Sequence, residues 1–241
     1  MRTITRWWLA PAMKAWLATQ QSAARYIPRP SDDPHAHASG PEADRILIFG
    51  SGPAMGWGVV SHDIALPGSV ARLITAHTGR GTDVDVIAQM KLTVSNAVST
   101  LTELDLSGYD AIVLTLGTRE AVGMASPRRW RRELADVVLT LISRASPDAM
   151  IFLVGVVPIQ SVPGFRSRLG AIAARNATEF NEATVTLCAA EPQTFFVPLS
   201  SVTALMSPAQ RDGRTYRTWA AEIAEVMIPA MDRAHAHRAN H

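Results

Sequence analysis

The residues best placed to do chemistry follow short apolar runs. After Ile46-Leu47-Ile48-Phe49 comes Gly50-Ser51-Gly52-Pro53-Ala54-Met55-Gly56-Trp57-Gly58. Its glycines would let backbone N–H groups approach an anion closely, and its only hydroxyl is Ser51. A serine in such a loop either caps the next turn or attacks an acyl carbon, and for attack it needs a neighbouring base to take its proton. After Leu116 the chain reads Gly117-Thr118-Arg119-Glu120, where Arg119 could clamp a carboxylate or phosphate, pair with Glu120, or extend into water. A third loop, Val157-Pro158-Ile159-Gln160, follows the apolar run 150–156.

Two kinds of chemistry are excluded by what accompanies these loops. No Gly-Lys-Ser/Thr follows the glycines, and the run Asp83-Val84-Asp85-Val86-Ile87-Ala88 ends without the acidic residue that would hold a ribose, so a nucleotide site is not expected. No His, Cys, Asp and Glu set recurs at ligand spacing outside the histidines near residue 36 and at the C-terminus, so neither metal nor cofactor is expected. A base for Ser51 is also hard to find. His35 and His37 lie before the body, His235, His237 and His241 lie near the end, and only His62 and His77 fall inside. His62 follows the glycine loop closely, but a surface or satisfied structural histidine is the commoner role.

The elements that must position these loops alternate along the chain. Runs 46–49, 84–88, 111–116, 150–156 and 195–197 read as strands, and about 65–77, 94–104, 127–144, 168–189 and 215–232 as helices, with Ser126 as N-cap and Pro127 at the first helical position. Alternation of this kind predicts an α/β/α three-layer sandwich around a mostly parallel five-stranded sheet. Ligands of such sheets bind beyond the carboxyl ends of the strands, where the three loops would stand.

Composition agrees with one globular domain. Of 241 residues, 47% are hydrophobic and 18% charged, and 23 Lys and Arg against 21 Asp and Glu leave +2, which gives no footprint for nucleic acid. One cysteine, Cys188, forms no internal disulfide, which suits a reducing, cytoplasmic compartment. Residues 1–27 read as an amphipathic helical segment. Leu9, Met13, Trp16 and Leu17 share a face among Arg2, Arg6, Lys14 and Arg25, which fits packing on the domain or peripheral contact with an anionic membrane; the stretch is too short and broken to span a bilayer. Residues 28–44, rich in Pro and polar residues, read as a linker, 45–233 as the domain, and 234–241 as a polar tail. The run Arg128-Arg129-Trp130-Arg131-Arg132 at a helix start reads as a solvated basic surface with Trp130 half-buried, or as a patch for an acidic partner or lipid headgroups.

Three blocks together resemble the SGNH, or GDSL, hydrolase family, whose first block is Gly-Asp-Ser-Leu-Thr-x-Gly after the first strand. The glycine loop matches that block, Leu116-Gly117-Thr118-Arg119-Glu120 is similar to the family's Leu-Gly-x-Asn-Asp, and Tyr216-Arg217-Thr218-Trp219-Ala220 is similar to the Gly-Tyr-x-x-Trp-Ala that opens its last helix. The resemblance runs over residues 45–232 in order and implies the flavodoxin-like SGNH architecture. It also implies hydrolysis of acyl esters by a serine, a His-Asp pair near the C-terminus, and an oxyanion hole from the serine N–H, a glycine and an asparagine. This chain departs at those places. Gly52 stands at the nucleophile position, with Ser51 where the family has Asp; Arg119 replaces the asparagine; residues 88–93 lack the expected glycine; and in Asp212-Gly213-Arg214-Thr215 the histidine position holds Thr215. Glu120 matches an acidic position that would orient its loop by accepting backbone hydrogen bonds.

The candidate site is therefore Ser51 as nucleophile, with Gly50, Gly52, Thr118, Arg119, Glu120 and Asp212 as binding groups. The expected function is that of a degenerate SGNH-like domain, a pseudoenzyme binding a small molecule or a protein partner. The alternative is an active esterase in which Ser51 cleaves small acyl esters.

Overall fold

An unbroken apolar run such as Ile46 to Phe49 suits a strand covered by helices on both faces. A computed structural model, describing residues 15, 26–157, 168–200 and 212–239, shows that arrangement. Strands β2 (Asp44–Gly50), β3 (Thr82–Ala88), β4 (Ala111–Thr115), β5 (Met150–Val154) and β6 (Thr194–Val197) are all parallel, and β1 (His35–Ala38) joins antiparallel at one edge, in the order β1-β3-β2-β4-β5-β6. Helices α1 (Leu66–Thr78), α2 (Val94–Leu101), α3 (Thr118–Val122), α4 (Pro127–Arg144), α5 (Arg168–Cys188) and α6 (Gly213–Ala239) fill the outer layers.

Alternation along each strand sends its side chains into two separate cores. Ile46, Ile48, Val84, Val113 and Phe152 pack beneath α1 and α6. Leu47, Phe49, Ile112, Leu114 and Leu153 pack beneath α2, α4 and α5. Ser126 caps α4 by accepting the Arg129 N–H at 3.2 Å, with Pro127 in the first turn as its sequence predicts. Trp130, inside the arginine run, is buried rather than half-buried: its ring stacks on Phe180 of α5 at 4.7 Å and its Nε1–H donates to Thr184 Oγ1 at 3.2 Å. Arg128, Arg129, Arg131 and Arg132 remain exposed around it.

Among the described residues the expected five strands are six, because part of the 28–44 stretch is not a free linker. His-Ala-His-Ala has none of the branched or aromatic residues that mark a strand, yet it pairs with β3 in a register that sets His35 opposite Asp85 and His37 opposite Asp83. The histidines reach those carboxylates at 2.8 and 2.7 Å while Ala36 points into the core. The tail is likewise shorter than its polarity suggests. Helix α6 continues through residues 234–239, and His235 Nε2 stands 2.7 Å from the fully buried carboxylate of Asp44, which also accepts from Arg80 Nε at 2.9 Å. The N-terminal segment apart from residues 15, 26 and 27, and the loop at 158–160, lie outside the described residues. Among the described residues no helix is long and apolar enough to cross a membrane.

Strand order reverses between β2 and β4, since the chain steps from β2 to β3 on one side and then crosses to β4 on the other. That junction ends at Gly50 beside Thr115, where the glycine loop begins.

Candidate functional site

The glycine loop is bound tightly to the end of β4. The Ser51 N–H donates to the Thr115 carbonyl at 2.8 Å, and the Thr115 hydroxyl donates back to the Ser51 carbonyl at 2.9 Å. Ser51 is buried and its backbone extended, at φ −145° and ψ −171°. Its hydroxyl does not cap the short 3-10 turn Gly52–Met55 that follows, and among the described residues it meets neither a histidine nor a carboxylate. Gly52, at the position the resemblance gives to the nucleophile, has φ +60°, and a Cβ there would have nothing nearer than Thr118 Oγ1 at 3.7 Å. Gly50, Ser51, Gly52 and Thr118 thus gather at the point where strand order reverses.

Glu120 and Arg119 occupy the short helix α3, which the sequence did not predict as a helix. The buried Glu120 accepts the Val94 N–H through Oε1 at 2.6 Å, so it ties the start of α3 to the start of α2. Its other oxygen is buried with no partner among the described residues, and burial pushes the carboxyl above the ordinary glutamate range despite that bond and the nearby Arg119 charge. Arg119 forms no ion pair with Glu120, and its Nε is buried without a partner among the described residues. Asp212 caps α6: its Oδ1 accepts from the Arg214 N–H at 3.0 Å and the Thr215 N–H at 3.4 Å. Thr215, at the histidine position, is buried. The next residue, Tyr216, is fully buried and donates from its hydroxyl to the Trp57 carbonyl at 2.8 Å, which fastens α6 to the glycine loop.

The histidines separate by location. His35 and His37 sit on the edge strand, His235 at the opposite end of the sheet beside Asp44, and His77 bonds the Leu73 carbonyl within α1 at 2.9 Å. His62 alone of these lines the open cleft beside the glycine loop. The cleft measures about 650 Å³ and lies between the 27–34 segment, the turn at Ala54 and Met55, and the end of β3. His62 has a partner that sequence reasoning missed. Its ring Nδ1 is 2.7 Å from Asp32 Oδ1, and its backbone N–H donates to both Asp32 oxygens at 3.0 and 2.9 Å. Partial burial works to raise the Asp32 carboxyl, but these bonds outweigh it and hold the group below the usual carboxylate range. The two residues are thirty apart, and Asp32 falls in the supposed linker, so no spacing rule joins them. The only sequence signal was the place of His62 just after the glycine loop. Among the described residues no group of three or more His, Cys, Asp or Glu is arranged to hold a metal ion.

No model of a protein family and no curated protein matches this sequence. Solved structures do match. Est24, a carbohydrate acetylesterase from Sinorhizobium meliloti, superposes with a TM-score of 0.58 at 14% identity over 76% of this chain and 97% of its own. TesA gives 0.57 at 14% identity over 78% and 99% of the two chains, and an inhibitor-bound aryl esterase from M. smegmatis 0.54 at 18% over 76% and 97%. The sheet order and these superpositions establish the SGNH hydrolase fold. The chain is an α/β domain of that fold, and at such identities the likeness is one of fold alone.

Proposed function

We propose that this domain is a pseudoenzyme that binds a small molecule or a protein partner at the carboxyl end of its sheet without hydrolysing it. One observation carries the reading: the positions that the resemblance gives to the nucleophile and the base hold Gly52 and Thr215, which can serve as neither. Gly52 has no side chain, Thr215 is a buried hydroxyl with no basicity at neutral pH, and the Ser51 hydroxyl meets no base among the described residues. A serine without a base is a weak nucleophile, whereas binding needs only a concave surface and a few polar groups. Two of the proteins that share the fold, an acetylesterase and an aryl esterase, support a small acyl-bearing molecule as the ligand. The free thiol of Cys188 and the absence of other cysteines support a reducing, cytoplasmic setting, with the N-terminal segment either packed on the domain or touching a membrane surface.

A second reading, an esterase working through Ser51, is favoured by one fact: the hydroxyl is not occupied in capping the turn beside it. Hydrolysis of p-nitrophenyl esters from acetate to octanoate by the purified protein, with Ser51→Ala prepared identically, separates the two. Equal, near-background rates in both proteins are expected. Turnover that disappears in Ser51→Ala would replace the first reading with the second.

A further inference from the structure

The cleft beside the glycine loop has a one-sided chemical lining. Arg29, His62, Ser31 and Gln89 supply its polar groups, and among the described residues no carboxylate lines it. Asp32 stands close by in sequence, but both its oxygens are turned to His62. A carboxylate can only accept, so the proton on Nδ1 points at Asp32, and Nε2 is the ring atom left for a ligand. Nε2 has no hydrogen-bond partner among the described residues. Arg29 is held by the glycine loop itself, its guanidinium 5.2 Å from the centre of the Trp57 ring.

Contacts between the 28–30 segment and the glycine loop keep the walls in place. Gly58 donates to the Pro28 carbonyl at 2.8 Å, and Gly56, at φ +61°, lies so close to Pro30 that a Cβ would be 2.5 Å from its ring. The segment carrying Arg29 and Asp32 is thereby fixed against the loop carrying His62. Ala54, Met55 and Val86 give the cleft an apolar side, and about 650 Å³ falls within the range that holds a small organic molecule.

We propose that this cleft binds a small organic anion, a carboxylate or phosphate on an apolar body, with Arg29 and His62 holding the charged end. The proposal rests on reading the domain as a binding module and names the class of ligand. Arg29 supplies a permanent positive charge. When the His62 ring carries both protons, its Nε2–H donates to the anion and Asp32 balances the charge across the ring. An apolar body then lies along Ala54 and Met55.

The test is a titration of the full-length protein, labelled with nitrogen-15, followed at the His62 imidazole resonance with benzoate, phenyl phosphate and the neutral benzamide as probes. Saturable movement with benzoate, phenyl phosphate or both, and none with benzamide, is expected; which anion acts distinguishes a carboxylate site from a phosphate site. Arg29→Ala, an exposed substitution that leaves the core untouched, should weaken that binding about tenfold. His62→Gln, followed at the Gln89 side-chain amide resonance instead, should weaken it similarly, and if that variant unfolds, Arg29→Ala still decides the matter. No saturable response to either anion, an equal response to benzamide, or unchanged affinity in Arg29→Ala would overturn the proposal. Ester turnover abolished by Ser51→Ala would instead remove the binding-module reading, so the two failures are separately visible.

Discussion

Gly50 stands so close to Thr115 that a Cβ on it would lie 2.2 Å from the Thr115 carbonyl oxygen. This contact lets β2 and β4 run side by side to their last paired residues and turns Ser51 beneath the end of β4. Its backbone, at φ +149°, also lies where L side chains rarely go. Gly50→Ala should therefore cost about 3 kcal/mol or more in urea unfolding, through overpacking against rigid backbone plus strain. Gly52→Ala meets nothing closer than 3.7 Å and should lose only about 1 kcal/mol, from its positive φ. Similar costs at the two positions would contradict this account.

Asp44 is fully buried and holds two partners, the Arg80 guanidinium and the His235 ring. Burial works to lower the Arg80 pKa, but its bonds to Asp44 and Asp232 raise it overall. Asp44→Ala would leave Arg80 largely buried without its inner partner and should destabilise by about 3 kcal/mol. Asp232, half-exposed, should cost under about 1 kcal/mol when changed to Ala. Urea midpoints of the two variants check the contrast.

Glu120 links helices α2 and α3 at a cost that depends on pH. Because burial raises its folded pKa, no penalty exists below the ordinary glutamate value of 4.5, where folded and unfolded chains are both protonated. As pH rises past that value the unfolded chain ionises first, and stability falls until the folded carboxyl ionises too. Glu120→Gln, which can still accept the Val94 N–H, should match the parent near pH 4 and exceed it by about 1 kcal/mol at pH 7. Parallel loss at both pH values would mean that the charge has no part in the effect.

Tyr109 is pushed up to about 12, first by burial and then by donating its hydroxyl to Asp85 at 2.9 Å. For a raised pKa the stabilisation is complete below the ordinary tyrosine value of 10.0 and is lost as pH climbs from there toward about 12. The ring is partly exposed, so solvent screening limits the effect to about 1 kcal/mol. Subtracting the Tyr109→Phe absorbance titration at 295 nm from that of the parent should reveal a phenolate forming near 12. A difference curve centred at 10 would remove the claim.

Much of the architecture was legible because its causes are local. Apolar runs bounded by turn residues marked five of the six strands. Ser126 followed by Pro127 marked the start of α4, since a capping oxygen and a preset φ act within one turn of chain. Loop order alone places Gly50, Ser51, Gly52 and Thr118 at one end of the sheet.

What stayed hidden depends on partners far along the chain. Nothing in His-Ala-His-Ala favours a strand until β3 offers an unpaired edge with Asp83 and Asp85 at matching positions. The polarity of residues 234–239 reads as a tail until Asp44, nearly two hundred positions earlier, gives His235 a buried partner. The Asp32–His62 pair arises because Pro28 and Pro30 lean on the glycine loop and bring a supposed linker against it. Periodicity, capping and turn chemistry are short-range and so determined the layers and the end of the sheet where these loops gather. Which charged groups meet there depends on how distant segments pack, and only the tertiary structure decided that.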